Sequence, residues 1–193
     1  MQNRFYAVIS RMKNINRWGL MRNTRHENLS EHSLETAQIA HALAILANRR
    51  FGKAVDPSAA AVAAMYHDTT EILTGDMPTP VKYDNDEIRT AYRKIEESAK
   101  DRLIALLPED FREDFAPVFE PDEEIRLLVK AADKLSALIK CIEELNMGNR
   151  EFLVAERATR KAVHALSCPE AEVFLEEFVP AFSLSLDEQS SGA

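Results

Sequence analysis

Apolar side chains recur every three to four positions along most of this chain, the spacing that places them on one face of a helix. Three helix starts are marked by residues that commonly cap helices: Ser30, Asp56, which a proline follows, and Asp122. No segment shows the apolar and polar alternation of a strand. The predicted helices span residues 3–13, 30–47, 57–68, 85–107, 122–147, 150–166 and 169–179. The pattern therefore predicts an all-α fold, a helical bundle of six or more helices.

Composition agrees with this prediction. Of the 193 residues 46% are hydrophobic and 29% charged, and only 5 are Gly and 8 are Pro, which favours helices over a loop-rich or all-β fold. A chain of this length can bury one sizeable core. We predict a single domain over residues 1–186, a proline-punctuated connector between Pro108 and Pro121, and a polar tail over 187–193.

The net charge of the chain limits the classes of partner that it can bind. A net charge of −8 and a pI near 5.2 disfavour binding to a nucleic-acid polymer or to an anionic membrane. They do not exclude a small anionic substrate, because a bound cation can dominate a pocket. The sequence shows neither the apolar core of a signal peptide nor a run that could span a bilayer. Cys141 and Cys168 form no metal or redox motif, so we expect buried thiols and a cytoplasmic location.

Four residues could hold a hydrolytic metal ion. His67 and Asp68 are adjacent, His32 lies upstream and Asp133 far downstream. Two imidazoles and two carboxylates can bind a divalent ion and leave positions for water and substrate. Two simpler interpretations stay open. His67-Asp68 can be an ordinary helix end, and Asp133, whose helical neighbours are mostly apolar, can pair with a Lys or Arg.

Glu71 follows His67-Asp68 by three to four residues, so on a continuous helix it would share their face. The sequence then breaks at Thr74-Gly75-Asp76 and at a Pro-Thr-Pro segment. We predict that this loop lies beside the candidate ligands, although turn formation alone would explain its composition.

The order His32, His67-Asp68, Asp133 on a helical background resembles the metal-dependent HD-domain phosphohydrolases. The closest resemblance is to the HD-domain 5′-deoxynucleotidases, and it covers nearly the whole chain. The segments that carry it are Ile15-Asn16-Arg17-Trp18, Asn28-Leu29-Ser30-Glu31-His32-Ser33, Met65-Tyr66-His67-Asp68, Glu71-Ile72-Leu73-Thr74-Gly75-Asp76, Pro78-Thr79-Pro80-Val81-Lys82 and Phe182-Ser183-Leu184-Ser185-Leu186-Asp187-Glu188.

The resemblance implies an HD domain that hydrolyses deoxyribonucleoside 5′-monophosphates to deoxynucleosides and phosphate. It also implies a homodimer and one divalent metal ion, held by His32, His67, Asp68 and Asp133. Mixed imidazole and carboxylate ligands suit Co²⁺, Mn²⁺, Fe²⁺ or Zn²⁺ without choosing among them.

The resemblance also implies roles around the metal. Glu71 would act as general base on the metal-activated water, or would orient that water, and Arg17 would bind the phosphate with its planar fork. Trp18 would crowd a 2′-hydroxyl and so reject ribonucleotides, while Asp76 and Thr79 would contact the nucleotide. From the residues alone, a solvated surface residue is the commoner interpretation of Arg17, and core packing is the favoured interpretation of Trp18.

Other functions remain open from the sequence. One is a different HD-type reaction, either nucleoside triphosphate hydrolysis or phosphodiester hydrolysis. Another is a non-catalytic sensor that uses the metal only for stability, and a third is a helical adaptor without metal. The presence of Glu71 and Arg17 argues against the sensor, because a structural metal site needs neither residue.

Overall fold

The structure, a computed structural model, describes residues 3–82 and 85–191. Helices dominate the described part of the chain, and the all-α prediction is confirmed. The α-helices are α1 (Phe5–Ile9), α2 (Leu29–Phe51), α3 (Pro57–Tyr66), α4 (Glu71–Thr74), α5 (Thr79–Lys82), α6 (Asp86–Ile104), α7 (Arg112–Phe119), α8 (Glu123–Asn146), α9 (Leu153–His164), α10 (Pro169–Glu177) and α11 (Leu186–Ser190). Short 3₁₀ segments at Ser10–Asn14, Glu109–Phe111, Arg150–Phe152 and Val179–Ser183 join some of them.

Helices α2, α3 and α8 form the centre of the bundle. Small residues line their contacts, and Ala40, Ala44, Ala60, Ala64 and Ala132 are all fully buried. Interaxial distance depends on the side chains at the contact, so these alanines allow the three backbones to approach closely. This packing brings the first turn of α2, the end of α3 and the middle of α8 to one place.

Capping residues define the helix starts, in part as predicted. Asp56 and Asp122 accept backbone hydrogen bonds at the starts of α3 and α8, as predicted. The prediction of Ser30 as the cap of α2 is wrong, because Asn28 fills that position. Asn28 forms a reciprocal capping box with Glu31, so the helix begins at Leu29.

The predicted continuous helix to Asp68 is also wrong. Helix α3 ends at Tyr66, and a turn separates it from α4, which begins at Glu71. Two side chains explain the break: Thr69 Oγ1 donates to the Tyr66 carbonyl at 2.8 Å, and His67 Nδ1 lies 2.6 Å from the Ala64 carbonyl oxygen. These side chains bind carbonyls that a continuing helix would use.

Two further segments differ from the prediction. The connector contains α7, whose Phe115 and Phe119 pack around Tyr66, with Phe115 also against Phe5. These aromatic contacts hold α7 against the rest of the protein. The prolines in this segment had suggested a connector without a helix. The polar tail begins inside α11, an exposed helix that Ser185 caps.

Cys141 and Cys168 are buried and unbonded to each other, as predicted. Within residues 3–82 and 85–191 the structure contains no helix with the length and apolar character required to cross a membrane.

Candidate functional site

Three of the predicted ligands form a compact cluster. His32 lies in the first turn of α2 and is fully buried, His67 caps the end of α3, and Asp68 follows in the turn. Asp68 Oδ2 is 3.1 Å from His67 Nε2 and 3.5 Å from His32 Nε2. One ligand atom from each residue lies within 4.8 Å of the others, so a single ion could contact all three.

Asp133 flanks this three-residue cluster from α8. Its Oδ1 is 3.3 Å from His32 Nε2, while its Oδ2 accepts from Lys134 Nζ at 2.9 Å. Both interpretations from the sequence therefore describe part of its environment. Asp133 has a lysine partner and also presents an oxygen to the candidate metal ligands.

The second nitrogen of each imidazole is held by a hydrogen bond that sets the tautomer of the neutral ring. His67 Nδ1 faces a backbone carbonyl, which can only accept, so Nδ1 carries the hydrogen. His32 Nδ1 lies 3.0 Å from Ser136 Oγ, and that hydroxyl donates to Glu35 Oε2 at 2.5 Å. The serine hydrogen is thereby used, and His32 Nδ1 must donate. In both rings Nε2 then offers its lone pair to the cluster.

Unpartnered buried atoms show that the cluster suits a cation. Among the described residues, His67 Nε2 and Glu71 Oε2 are buried without a hydrogen-bond partner of acceptable geometry. Buried polar atoms are rarely without a partner, and those that are call for an explanation such as the binding of an ion or a water molecule. Imidazole nitrogens and carboxylate oxygens together are a donor set typical of divalent transition metals, so the residues fit such an ion.

The charges around the cluster favour ionised carboxylates. Burial alone would raise the pKa of Asp68, but the neighbouring His67 and Arg17 hold it well below its usual value. Burial lowers the pKa of His67, yet Asp68 outweighs it and raises that pKa to about 9. Burial and the positive charge of Arg17 lower the pKa of His32. A divalent ion would take the place of the proton on His67 as partner of these acids.

Glu71 stands beside the cluster without belonging to it. It begins α4, its side chain is only 7% exposed, and its backbone N–H donates to the Asp68 carbonyl at 3.0 Å. Burial and the charges of Asp68 and Asp76 raise the pKa of Glu71 to about 8. A carboxyl group with a pKa near neutrality can accept or donate a proton under physiological conditions.

Arg17 reaches the cluster from the N-terminal loop. Its NH1 donates to Asp68 Oδ2 at 3.1 Å, and its NH2 lies 3.9 Å from Asp133 Oδ1. Burial lowers the pKa of Arg17, but Asp68 and Asp133 outweigh burial and raise it. Arg17 is therefore a charged group beside the candidate ligands and not a solvated surface residue.

Trp18, which directly follows Arg17, is half-buried near the same place. Its ring packs on Phe152 at a centroid distance of 5.4 Å, and its Nε1 donates to Glu27 Oε2 at 3.0 Å. Its backbone has a positive φ of 57°. The interpretation of Trp18 as a packing residue therefore describes the ring, which contacts Phe152. The hydrogen bond to Glu27 fixes the edge of the indole.

The remaining predicted substrate contacts lie after α4. Asp76 is close enough for its charge to raise the pKa of Arg17 and Glu71. Thr79 begins α5, but its side chain is outside the described part of the structure. Lys82 is paired with Glu96 at 2.8 Å.

Three residues that support the site are missing from the set predicted from the sequence: Glu27, Glu35 and Ser136. Glu27 and Glu35 are far from their partners in the chain, and nothing in their surroundings distinguishes them from other acids. Ser136 could have been found, because it lies three residues after Asp133 on the same helix and so on the same face.

Known proteins resemble this chain over almost its full length. Residues 4–182 match the family model described as "5'-deoxynucleotidase YfbR-like". A 5'-deoxynucleotidase of Cronobacter sakazakii is 50% identical over 98% of this chain and 96% of its own length. The 5'-deoxynucleotidase VP0926 of Vibrio parahaemolyticus is 49% identical over 98% and 99%, respectively.

Solved structures share the fold at lower identity. An HD-domain phosphohydrolase from Listeria innocua superposes with a TM-score of 0.79 at 23% identity, covering 93% of this chain and 88% of the other. The cyanophage S-2L HD phosphohydrolase DatZ, solved with dA and one catalytic Zn²⁺ ion, gives a TM-score of 0.63 at 20% identity, with 90% and 95% coverage.

Proposed function

Because this chain belongs to the 5′-deoxynucleotidase YfbR-like family, we propose that it hydrolyses deoxyribonucleoside 5′-monophosphates to deoxynucleosides and inorganic phosphate. The names of relatives at 49–50% identity support the reaction. The observation that carries the proposal for this chain is the convergence of His32, His67 and Asp68 with Glu71 and Arg17. Metal ligands, a proton acceptor and a phosphate-binding cation together can support metal-dependent hydrolysis of a phosphomonoester.

His32, His67, Asp68 and Asp133 are the residues that would hold one divalent ion in this proposal. The first three form the compact cluster, and Asp133 supplies an oxygen beside it. Such an ion polarises a phosphoryl oxygen and lowers the pKa of a bound water. The donor set fits Co²⁺, Mn²⁺, Fe²⁺ or Zn²⁺, and we propose Co²⁺ and Mn²⁺ as the ions to test first.

Glu71 is the proposed general base. Its Oε2 has no hydrogen-bond partner within the described residues, so it is available to accept a proton from a water molecule in the site. Because its pKa is raised to about 8, close to the operating pH, Glu71 can take up and release a proton in the neutral range, which an ordinary carboxylate does poorly. General acid–base assistance of this kind is typically worth about 10²–10⁴ in rate.

Arg17 is the proposed phosphate ligand. In this structure its guanidinium contacts the carboxylates of Asp68 and Asp133. A cation bound by those carboxylates would weaken their hold on Arg17 and leave its N–H groups for phosphate oxygens. A planar guanidinium can bind two such oxygens at once, which a lysine cannot do.

Three residues are proposed to bind the nucleoside. Trp18 would crowd a 2′-hydroxyl, and Asp76 would accept a hydrogen bond from the 3′-hydroxyl. Thr79 would contact the nucleotide nearby. A hydroxyl that is buried beside an indole edge without a partner is costly, which would disfavour ribonucleotides. We also propose a cytoplasmic homodimer with no nucleic-acid polymer as partner, on the basis of the resemblance and the acidic charge.

Phosphate release from dAMP and AMP tests the proposal directly. With Co²⁺ or Mn²⁺ we expect the enzyme to hydrolyse dAMP well ahead of AMP. Arg17→Lys keeps the charge but loses the planar fork, so it should raise KM for dAMP while metal content stays unchanged. Metal-loaded wild-type protein that releases no phosphate from dAMP would refute the proposed reaction, and dATP and cyclic AMP would then be the substrates to compare.

A further inference from the structure

We propose that Glu27 is a positioning residue for sugar discrimination, because it fixes the orientation of the Trp18 indole. This inference rests on the proposed function, in which Trp18 faces the sugar. It adds a residue for which neither the sequence nor the family resemblance suggested a role.

The backbone brings Glu27 opposite Arg17. Arg17 N–H donates to the Glu27 carbonyl at 2.9 Å, and Leu29 N–H donates to the Ile15 carbonyl at 3.0 Å. These two bonds flank an isolated antiparallel bridge between residues 16 and 28. Antiparallel pairing fixes the register of two chain segments. The loop that contains Trp18 is therefore closed at its base, and Glu27 lies at that closure.

One Glu27 carboxylate faces three site residues. Its Oε2 accepts from Trp18 Nε1 at 3.0 Å and lies 3.5 Å from Arg17 Nε, while Oε1 is 3.9 Å from His32 Nδ1. The Glu27 side chain is only 12% exposed, so solvent screens these interactions weakly. A hydrogen bond to a charged acceptor is stronger than a neutral one, and the Trp18 bond has that character.

The backbone of Trp18 explains why this bond is needed. A φ of 57° is uncommon for a residue other than glycine, and such a conformation persists only where the surrounding structure enforces it. Met21 N–H and Asn23 Nδ2 both donate to the Trp18 carbonyl, at 2.9 and 3.2 Å. They hold the peptide but not the ring. Contact with Phe152 packs the ring, and the bond from Nε1 to Glu27 fixes the position of its polar edge.

Trp18 is the only tryptophan, so its fluorescence reports the ring environment without any catalytic assay. We expect Glu27→Ala to shift the emission to longer wavelength and to increase quenching by acrylamide. Glu27→Gln should retain most of the wild-type signal, because the amide oxygen can still accept from the indole. Glu97→Ala, which removes an exposed carboxylate on α6, is the matched control and should change neither property.

A second experiment, on catalysis, compares kcat/KM for dAMP with kcat/KM for AMP. Glu27→Ala should lower this ratio about tenfold or more, and Glu27→Gln should restore most of it. Trp18→Ala should lower the ratio by itself, and adding Glu27→Ala should lower it little further, because both changes remove the same discrimination. Circular dichroism would verify that each variant is folded.

Wild-type emission and a wild-type ratio in folded Glu27→Ala would overturn the inference. Additive losses in the double variant would also overturn it, since Glu27 would then act independently of Trp18. If wild-type protein hydrolysed neither nucleotide, the proposed function would fail and the specificity role with it. That outcome is distinct from an active, dAMP-selective enzyme whose selectivity does not respond to Glu27.

Discussion

Replacing Glu71 by Gln should move activity and stability in opposite directions. The substitution preserves size and removes the ability to accept a proton. Since Glu71 is outside the three-residue cluster, metal binding should persist. Loss of a general base predicts a fall in kcat of about 10²–10⁴. Where Glu71 is ionised, the same change removes a buried charge that Asp68 and Asp76 repel, so at high pH the folded protein should gain stability.

The size of the gain follows from the pKa of Glu71. Its folded value of about 8 exceeds the ordinary 4.5, so the folded state holds the proton more tightly than the unfolded state. The contribution of Glu71 to stability is therefore fully present below about pH 4.5 and is lost as pH rises through 8. At 1.36 kcal/mol per pKa unit, the stability that wild type loses over this pH range has an upper limit of roughly 5 kcal/mol. The Gln variant does not titrate here, so this is also the upper limit of its advantage at high pH.

Urea unfolding of metal-free wild type and Glu71→Gln at pH 5 and pH 9 measures this difference. The variant should be more stable at pH 9, and the advantage should shrink at pH 5, where Glu71 is protonated. Glu97→Gln, an exposed change on α6, should alter neither stability nor kcat. The reasoning would be refuted by a Gln variant that keeps kcat within about threefold of wild type, or by one that is less stable at pH 9.

Three further outcomes are expected. Ser136→Ala removes the acceptor of His32 Nδ1 and should weaken Mn²⁺ binding about 10–100-fold in a chelator competition, with Ser136→Thr retaining most of the affinity. Glu144→Gln leaves buried Lys140 without its carboxylate and should cost about 3–5 kcal/mol at pH 7 by urea unfolding. Because burial is outweighed by hydrogen bonds that hold the pKa of Glu144 below its usual value, this difference should shrink as pH falls below about 4.5. Finally, Mn²⁺ should raise the thermal midpoint of wild type but not of His67→Ala, and equal shifts would contradict the ligand assignment.

Local patterns predicted the fold because they are set by short-range physics. Apolar periodicity located α2, α3, α6 and α8, and Asp56 and Asp122 marked helix starts because capping involves only neighbouring residues. The end of α3 was missed because Thr69 and His67 bind carbonyls of the preceding turn. That competition depends on side-chain conformations, which periodicity does not show.

The site was predictable as a set of residue types and not as a set of contacts. His32, His67 and Asp68 were identified from their chemistry and are brought together by the packing of α2 on α3. The support from Glu27 and Glu35 was not predictable, because each is chosen by tertiary geometry from many acids along the chain. A sequence of −8 net charge contains no signal that singles them out.

The loop between the paired segments at residues 15–17 and 27–29 has a second attachment. Glu144 accepts from the backbone N–H groups of Thr24 and Arg25 at 2.9 and 3.2 Å, so α8 holds the far side of the loop as well. Ordering a free backbone costs about 1–2 kcal/mol per residue at room temperature. This loop is already ordered in the folded protein before any nucleotide binds. Nucleotide binding should therefore show a smaller entropy penalty than it would with a free loop. A substitution at Glu144 that released these two N–H groups would then be expected to raise the entropic penalty of nucleotide binding without touching the nucleotide.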